Sequence, residues 1–123
     1  MTELYQEFTF DAAHRFPSAP QDYQRGLHGH SFTARVVLRG EVDARTGFVA
    51  DLGSLEARCQ ALRRELDHKF LNDIPGLDNP SLERIAQWIW QRLKPELPAL
   101  ARVEIRRESQ RHGCVYEGPA SGS

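Results

Sequence analysis

The chain has 123 residues, of which 40% are hydrophobic and 27% are charged, and this size and composition are typical of one soluble globular domain. Lys and Arg number 16 against 17 Asp and Glu, so the formal charge of −1 gives no electrostatic footprint for binding nucleic acid or an anionic membrane. Two cysteines are too few for a disulfide framework, and neither a signal peptide nor a membrane-spanning run is visible. We therefore expect a cytoplasmic protein.

Alternating apolar and polar side chains predict two strands in the first third of the chain, over residues 4–14 and 30–42. The segment between them, residues 15–27, contains two prolines and a glycine and is predicted to be a loop. We expect the two strands to pair as a hairpin. Loops of about 13 residues without structure of their own are uncommon and are often functional.

Apolar residues at steps of three and four predict two helices in the middle of the chain. Asp51 or Ser54 can cap the first helix. The second is predicted to begin with Asn79 as its N-cap and Pro80 as its first residue, and to end before Pro95. The apolar stripes are Leu52, Leu55, Cys59, Leu62 and Leu66 in the first helix, and Leu82, Ile85, Ala86, Ile89 and Leu93 in the second.

Two further strands are predicted near the C-terminus, over residues 101–109 and 113–117. The order strand, strand, helix, helix, strand, strand predicts an α+β fold, in which two helices cover one face of a four-stranded antiparallel sheet. We expect residues 1–118 to form a single domain and residues 119–123 to be a frayed tail.

Three histidines form the most specific chemical pattern in the sequence. His28 and His30 lie two residues apart at the start of the second predicted strand, so both rings point to one face. His14 ends the first strand in phase with its apolar side chains. If the strands pair, the three imidazoles meet, and three neutral imidazoles with an open fourth position are typical of catalytic zinc. A single His on an apolar face is more often a core residue, and the metal site therefore depends on the pairing.

Five other residues are weaker candidates. Asp67 and His68 can support proton transfer as a pair, although their position after the first helix equally indicates contacts with free helix carbonyls. Glu108 lies on the polar side of the third strand and, judged alone, is a solvated acid. Cys59 belongs to the apolar stripe of a helix, and packing is the simplest role for Cys114 in its short strand.

Eight segments of the sequence resemble the 6-pyruvoyltetrahydropterin synthase family, and most closely its bacterial 6-carboxytetrahydropterin synthase branch, which belongs to the queuosine (7-deazaguanine) pathway. They occur in the family's order between about residues 4 and 118. The segments are residues 10–15 (FDAAHR), 27–32 (LHGHSF), 47–51 (GFVAD), 66–68 (LDH), 71–79 (LNDIPGLDN), 86–90 (AQWIW), Glu108 and 113–116 (GCVY).

This resemblance implies a fold, an assembly and a reaction. The fold is the tunnelling fold, whose subunits form a trimeric β-barrel that stacks into a hexamer. The reaction is a lyase reaction on a small-molecule pterin, converting 7,8-dihydroneopterin triphosphate to 6-carboxytetrahydropterin, acetaldehyde and triphosphate. The resemblance also assigns zinc to His14, His28 and His30, a proton relay to Asp67 and His68, and the pterin anchor to Glu108.

One family feature is missing. The family's general-base cysteine lies four residues before the first histidine of the His-Gly-His pair, where this chain has Gln24, and the loop is about one residue shorter. A glutamine amide cannot accept a proton at neutral pH. Asp22, Tyr23 and His112 are candidate substitutes.

Three functions follow from these observations. The chain is a zinc-dependent pterin lyase, or an altered relative that binds a pterin or performs an aldol-type cleavage, or a domain in which zinc only braces the fold. The retained Glu108 and the Asp67–His68 pair argue against the last, because a structural zinc site needs neither.

Overall fold

The computed structural model describes residues 1–120, so the predicted frayed tail lies outside the described residues from residue 121 onward. Its first feature is a long antiparallel hairpin of strands β1 (Thr2–His14) and β2 (His28–Gly40). The register runs without interruption from the pair Thr2 and Gly40 to the pair His14 and His28. The predicted hairpin is therefore correct, and each strand begins two residues earlier than the alternation indicated.

The predicted loop between these strands contains one short helix, α1 (Asp22–Arg25). At the N-terminus of α1, Gln21 and Gln24 form a capping box. The backbone N–H of Phe16 also donates to the carbonyl of Gln24 at 3.1 Å and ties the segment together. A helix of a single turn has no repeating apolar stripe, so the periodicity of the sequence could not predict it.

The two main helices are α2 (Leu52–Leu66) and α3 (Leu82–Leu93). Asp51, one of the two predicted caps, accepts from the N–H of Gly53 at the start of α2. The predicted start of α3 is wrong. Ser81, not Asn79, is its N-cap and accepts from the N–H of Arg84, because the carbonyl of Pro80 is hydrogen-bonded elsewhere and that residue precedes the helix.

The sheet has five strands rather than the four predicted. Strands β3 (Lys69–Phe70), β4 (Leu100–Arg107) and β5 (His112–Tyr116) complete it, in the order β3-β1-β2-β4-β5. All neighbours are antiparallel except β3, which pairs with β1 in parallel through two residues. Two residues are too short for an alternation signal, and β3 exists because the chain leaving α2 is hydrogen-bonded to β1.

Helices α2 and α3 cover one face of the sheet and form the core with it. The chain buries both predicted apolar stripes except for Leu52, which is exposed, and Leu82, which is partly buried. It also buries Trp88 and Trp90, which flank the predicted stripe of α3. Cys59 is buried as predicted, and burial raises the pKa of its thiol to about 12.

Within residues 1–120, the opposite face of the sheet carries no helix and is lined by ion pairs. Arg102 joins Glu3 and Glu104, and Arg106 joins Glu7 and Glu108. Arg35 binds Glu7 at 2.7 Å and lies over the ring of Tyr5. Among residues 1–120, no helix is long and apolar enough to cross a membrane.

Candidate metal-binding site

The hairpin brings the three predicted histidines together at its closed end. The ring centres of His14 and His30 are 5.0 Å apart, and that of His28 lies 6.1 Å from each of them. Strand register explains this, since His14 faces His28 directly and Ala12, two residues before His14, faces His30. The alternation of the two strands therefore brings the three rings together, as the sequence predicted.

His14 is oriented by the loop before α3. Its Nδ1 lies 3.0 Å from the carbonyl oxygen of Pro80, and a carbonyl only accepts, so Nδ1 carries the proton. Its Nε2 therefore has a free lone pair, and this atom is buried without a hydrogen-bond partner. Burial also lowers the pKa of His14, which keeps the ring neutral. A buried, neutral imidazole with an unpartnered lone pair fits a metal ligand.

The other two rings hold different partners. His28 Nε2 donates to the carbonyl of Tyr23 at 2.6 Å, and His30 Nε2 accepts from Arg107 Nη1 at 3.2 Å. Burial lowers the pKa of His30 to about 4, helped by the charge of Arg107 and by the other histidines. His30 is therefore neutral at pH 7 as well.

Three imidazoles with these distances between ring centres fit a zinc site, whereas the hydrogen bonds that His28 and His30 now make do not. Rings around one tetrahedral zinc, with Zn–N bonds of about 2.0–2.1 Å, have centres roughly 5 Å apart. In the described part of the chain, however, no group of three His, Cys, Asp or Glu side chains is arranged to hold a metal ion as it stands. His28 and His30 would have to turn or leave their present partners.

A cleft of about 530 Å³ opens over the three rings. Besides the histidines it is lined by Phe16, Tyr23, Gln24, Arg107, Gln110 and His112. Gln24 thus faces the cleft, as its place in the sequence indicates, and so do Tyr23 and His112. Asp22 does not line it, because its carboxylate pairs with Arg25 and is 96% exposed.

Asp67 and His68 lie on the other side of His30, beside a second cleft of about 610 Å³ that His30 and His68 both line. Asp67 Oδ1 accepts from the N–H of Asp11 at 2.8 Å, and this bond is the first cause of its lowered pKa. His68 Nε2 is 3.5 Å from Asp67 Oδ2. With φ at 59°, His68 adopts the left-handed conformation that is uncommon outside glycine. Asp67 is also the C-cap of α2, and its backbone N–H donates to the carbonyl of Arg63. The proton relay stays a prediction.

Glu108 begins a turn of 3-10 helix immediately after β4, not a strand position as predicted. Its side chain is 67% exposed and accepts from Arg106 Nε at 2.8 Å. It lines a third, smaller cleft together with Arg107 and His112. Glu108 is therefore separated from the histidine rings by Arg107 and His112, which line both this cleft and the cleft over the rings.

Arg107 is the residue that the sequence analysis overlooked. Val103 and Ile105 predict that the odd positions of β4 face the core, and the next odd position is Arg107. The same alternation that defined the strand would have identified a cation entering the histidine cleft.

Comparison with known proteins gives a consistent result. The family described as "6-pyruvoyl tetrahydropterin synthase" matches residues 3–119. The 6-carboxy-5,6,7,8-tetrahydropterin synthase of Synechocystis sp. is 40% identical over 108 residues, which are 83% of each chain. The dihydroneopterin monophosphate aldolase of Pyrococcus furiosus is 38% identical over 88% of this chain and 87% of its own. The solved 6-pyruvoyl tetrahydropterin synthase of Caenorhabditis elegans superposes with a TM-score of 0.84 at 26% identity, covering 96% of both chains.

Proposed function

Because this chain belongs to the 6-pyruvoyl tetrahydropterin synthase family, we propose that it is a zinc-dependent lyase that converts 7,8-dihydroneopterin triphosphate and water to 6-carboxytetrahydropterin, acetaldehyde and triphosphate. The observation that carries the proposal is the unpartnered, buried Nε2 of His14 among three adjacent imidazoles. The similarity to 6-carboxytetrahydropterin synthase supports the choice of reaction and the role in queuosine biosynthesis.

His14, His28 and His30 would hold the zinc. When bound, the metal would supply a Lewis acid that polarises the hydroxyl oxygens of the pterin side chain. His14 is the preorganised ligand, since the Pro80 carbonyl already fixes its tautomer. His28 and His30 must exchange their hydrogen bonds to Tyr23 and Arg107 for the metal.

Asp67 and His68 would move a proton next to this site. The carboxylate of Asp67 is fixed by the N–H of Asp11 and by Arg63, so it can orient the exposed imidazole of His68. Glu108 would hold the pterin ring, because a carboxylate accepts two parallel N–H donors. To do so it must release Arg106, which now occupies one of its oxygens.

The glutamine at position 24 favours a second candidate function. The cleft contains the amide of Gln24 where the family reaction is expected to use a thiol, and an amide cannot take a proton from a side-chain carbon. An altered lyase that performs an aldol-type cleavage would not need the same base. The 38% identity to a dihydroneopterin monophosphate aldolase supports this alternative.

We also propose that the chain forms a homo-oligomer, a trimer or a hexamer, in which the sheets of several copies close a barrel. Both cysteines are unpaired, which suits work in the reducing cytoplasm.

The deciding experiment is to incubate zinc-loaded protein separately with 7,8-dihydroneopterin triphosphate and with the monophosphate, and to identify products by mass spectrometry. Formation of 6-carboxytetrahydropterin supports the first function, and cleavage without this product supports the second. Elemental analysis of the protein should find one zinc per chain, and His28→Ala should abolish binding, since two imidazoles rarely retain zinc. A chain without divalent metal would contradict both functions.

A further inference from the structure

Arg107 differs from the other half-buried arginines of residues 1–120. Each of the others has a carboxylate oxygen within 4.0 Å, and Arg107 has none. Its Nε, like that of Arg58, is also buried without a hydrogen-bond partner. The paired arginines are Arg35, Arg58, Arg63, Arg102 and Arg106.

The surroundings of Arg107 do not compensate its charge. Its Nη1 donates to the neutral ring of His30, and it lines the histidine cleft with His112 on the same side. Burial lowers the pKa of its guanidinium, and the charge of Glu83 on α3 opposes that shift from beyond ion-pair distance. A guanidinium remains charged at any ordinary pH, and a partly buried, unpaired cation is costly to maintain. The site is therefore incomplete without an anion.

We propose that Arg107 binds the phosphoryl group on the side chain of the pterin substrate, and that it thereby selects phosphorylated pterins over unphosphorylated ones. This inference rests on the proposed function for the pterin, while the anion site itself rests on Arg107. The planar guanidinium presents paired N–H donors that match phosphate oxygens. Because Arg107 lines both the cleft over the histidines and the one beside Glu108, it reaches a ligand that spans them.

Because Arg107 donates a hydrogen bond to His30, a movement of Arg107 would also affect His30. Arg107 Nη1 donates to the lone pair of His30 Nε2, which is a nitrogen that a metal would need. A phosphoryl group that draws Arg107 away frees that nitrogen. Binding of the anion and release of His30 are therefore linked.

The first arm of the test uses inorganic tripolyphosphate and metal-free protein, so that neither pterin nor zinc affects the result. Calorimetry should show that Arg107→Gln binds tripolyphosphate about 10- to 100-fold more weakly than the unmodified chain, the usual effect of losing a charged hydrogen-bond pair. Arg64→Gln is the matched control, because it removes the same charge from an exposed side chain of α2 that lines neither cleft. It should change the affinity by less than about threefold. Equal binding by the unmodified chain and Arg107→Gln, or no binding by the unmodified chain, overturns the proposal.

The second arm compares 7,8-dihydroneopterin with its triphosphate. The unmodified chain should prefer the triphosphate, and Arg107→Gln should lose the preference while binding 7,8-dihydroneopterin unchanged. If neither pterin binds although tripolyphosphate does, the proposed function fails and the anion site stands. If both pterins bind equally to the unmodified chain, selection by Arg107 is refuted.

A measurement on the unmodified chain keeps the test decisive if Arg107→Gln does not fold. Tripolyphosphate should shift the NMR signal of the Arg107 Nε–H, which is now buried without a partner. An unshifted signal at saturating tripolyphosphate would exclude contact with this residue.

Discussion

At the scale of single residues, burial keeps two rings of the histidine cluster neutral, those of His14 and His30. His30 has its pKa lowered to about 4 from an ordinary 6.5, and burial lowers that of His14 as well. The unfolded chain therefore binds more protons than the folded chain between about pH 6.5 and 4. Stability must fall as the pH falls through this window, and the loss is complete only below the folded pKa.

We predict that the metal-free chain loses stability steadily from pH 6.5 to 4.5. Urea midpoints measured in EDTA at several pH values check this, and His30→Gln should flatten the profile, leaving the smaller slope of His14. Carboxylates with lowered pKa, such as Glu7, contribute mainly below their ordinary value of 4.5, so the window separates the two effects. A profile in His30→Gln as steep as in the unmodified chain would refute the assignment.

A second prediction at this scale concerns the missing base. Gln24 lies in α1 and lines the histidine cleft, so Gln24→Cys puts a thiol where the family reaction is expected to use one. General-base catalysis typically contributes about 10²- to 10⁴-fold, and we expect a rate increase of up to that order on 7,8-dihydroneopterin triphosphate. Product formation under single-turnover conditions measures it.

Two controls make this result specific. Asp22→Cys introduces the same thiol two residues away, outside the cleft, and should give no gain. His68→Ala in the Gln24→Cys background should remove the gain if His68 and the thiol share one relay. Rapid turnover by the unmodified chain would instead show that another group is the base, and Tyr23 and His112, which face the cleft, are then the first to replace.

At the scale of elements, the start of α3 positions His14, which we propose as a zinc ligand. Pro80 holds His14 through its carbonyl, and the next residue, Ser81, caps the helix by accepting from Arg84 at 3.1 Å. The conformation that begins the helix therefore also orients the imidazole.

We predict that Ser81→Ala lowers the free energy of unfolding by about 1 kcal/mol, the usual cost of losing an N-cap, and also weakens zinc binding several-fold. Asp51→Ala is the matched control, because Asp51 caps α2 through Gly53 and contacts no histidine. It should cost similar stability and leave the zinc affinity unchanged. Urea unfolding and competition with a zinc chelator measure the two quantities. An equal loss of zinc affinity in both variants would show that only global stability matters.

The sequence predicted those elements whose pattern repeats. Phe8, Phe10 and Phe32 alternate over long strands, and the stripes of α2 and α3 recur over several turns, so the hairpin, both helices and the phase of the three histidines were correct. Strand β3, helix α1 and the cap at Ser81 were not found. Strand β3 is fixed by hydrogen bonds to distant backbone, such as His68 N–H to the carbonyl of Asp11 at 2.7 Å, and such bonds leave no periodic trace. Helix α1 is a single turn and the Ser81 cap is a single hydrogen bond from Arg84, so neither has a repeating pattern.

In the candidate site, too, only part could be predicted from the sequence. The alternation of the strands sets the positions of the histidines, and the same alternation indicated Arg107, which was overlooked. The partners of the histidine nitrogens were not predictable. Pro80 lies 66 residues from His14 in the chain, and Arg107 lies 77 residues from His30, so tertiary packing alone brings them together.

At the scale of the whole molecule, the sheet is open at two unlike edges. In the part of the chain that the structure describes, β5 is bounded by β4 on one side only, and β1 is covered by β3 only at Ala12 and Ala13. Long unpaired edges are normally covered or closed in soluble proteins. Pairing β5 of one copy with β1 of the next joins two different surfaces head to tail, and such a contact gives a closed ring when the rotation permits.

Light scattering at micromolar concentration should therefore find at least three times the 14.0-kDa chain mass. One face of the sheet would line the ring. On this face Val115 of β5, which is 60% exposed, lies at one edge, and Glu3, Tyr5 and Glu7 of β1 lie at the other edge. Val115→Glu would set a carboxylate against the acids of β1, and like charges across a strand pair are destabilising. We expect this variant to dissociate at concentrations at least about tenfold higher than the unmodified chain. Val115→Thr keeps the size and the branched shape without the charge and should remain assembled. A stable monomer in the unmodified chain, or equal dissociation of the two variants, would contradict closure through these edges.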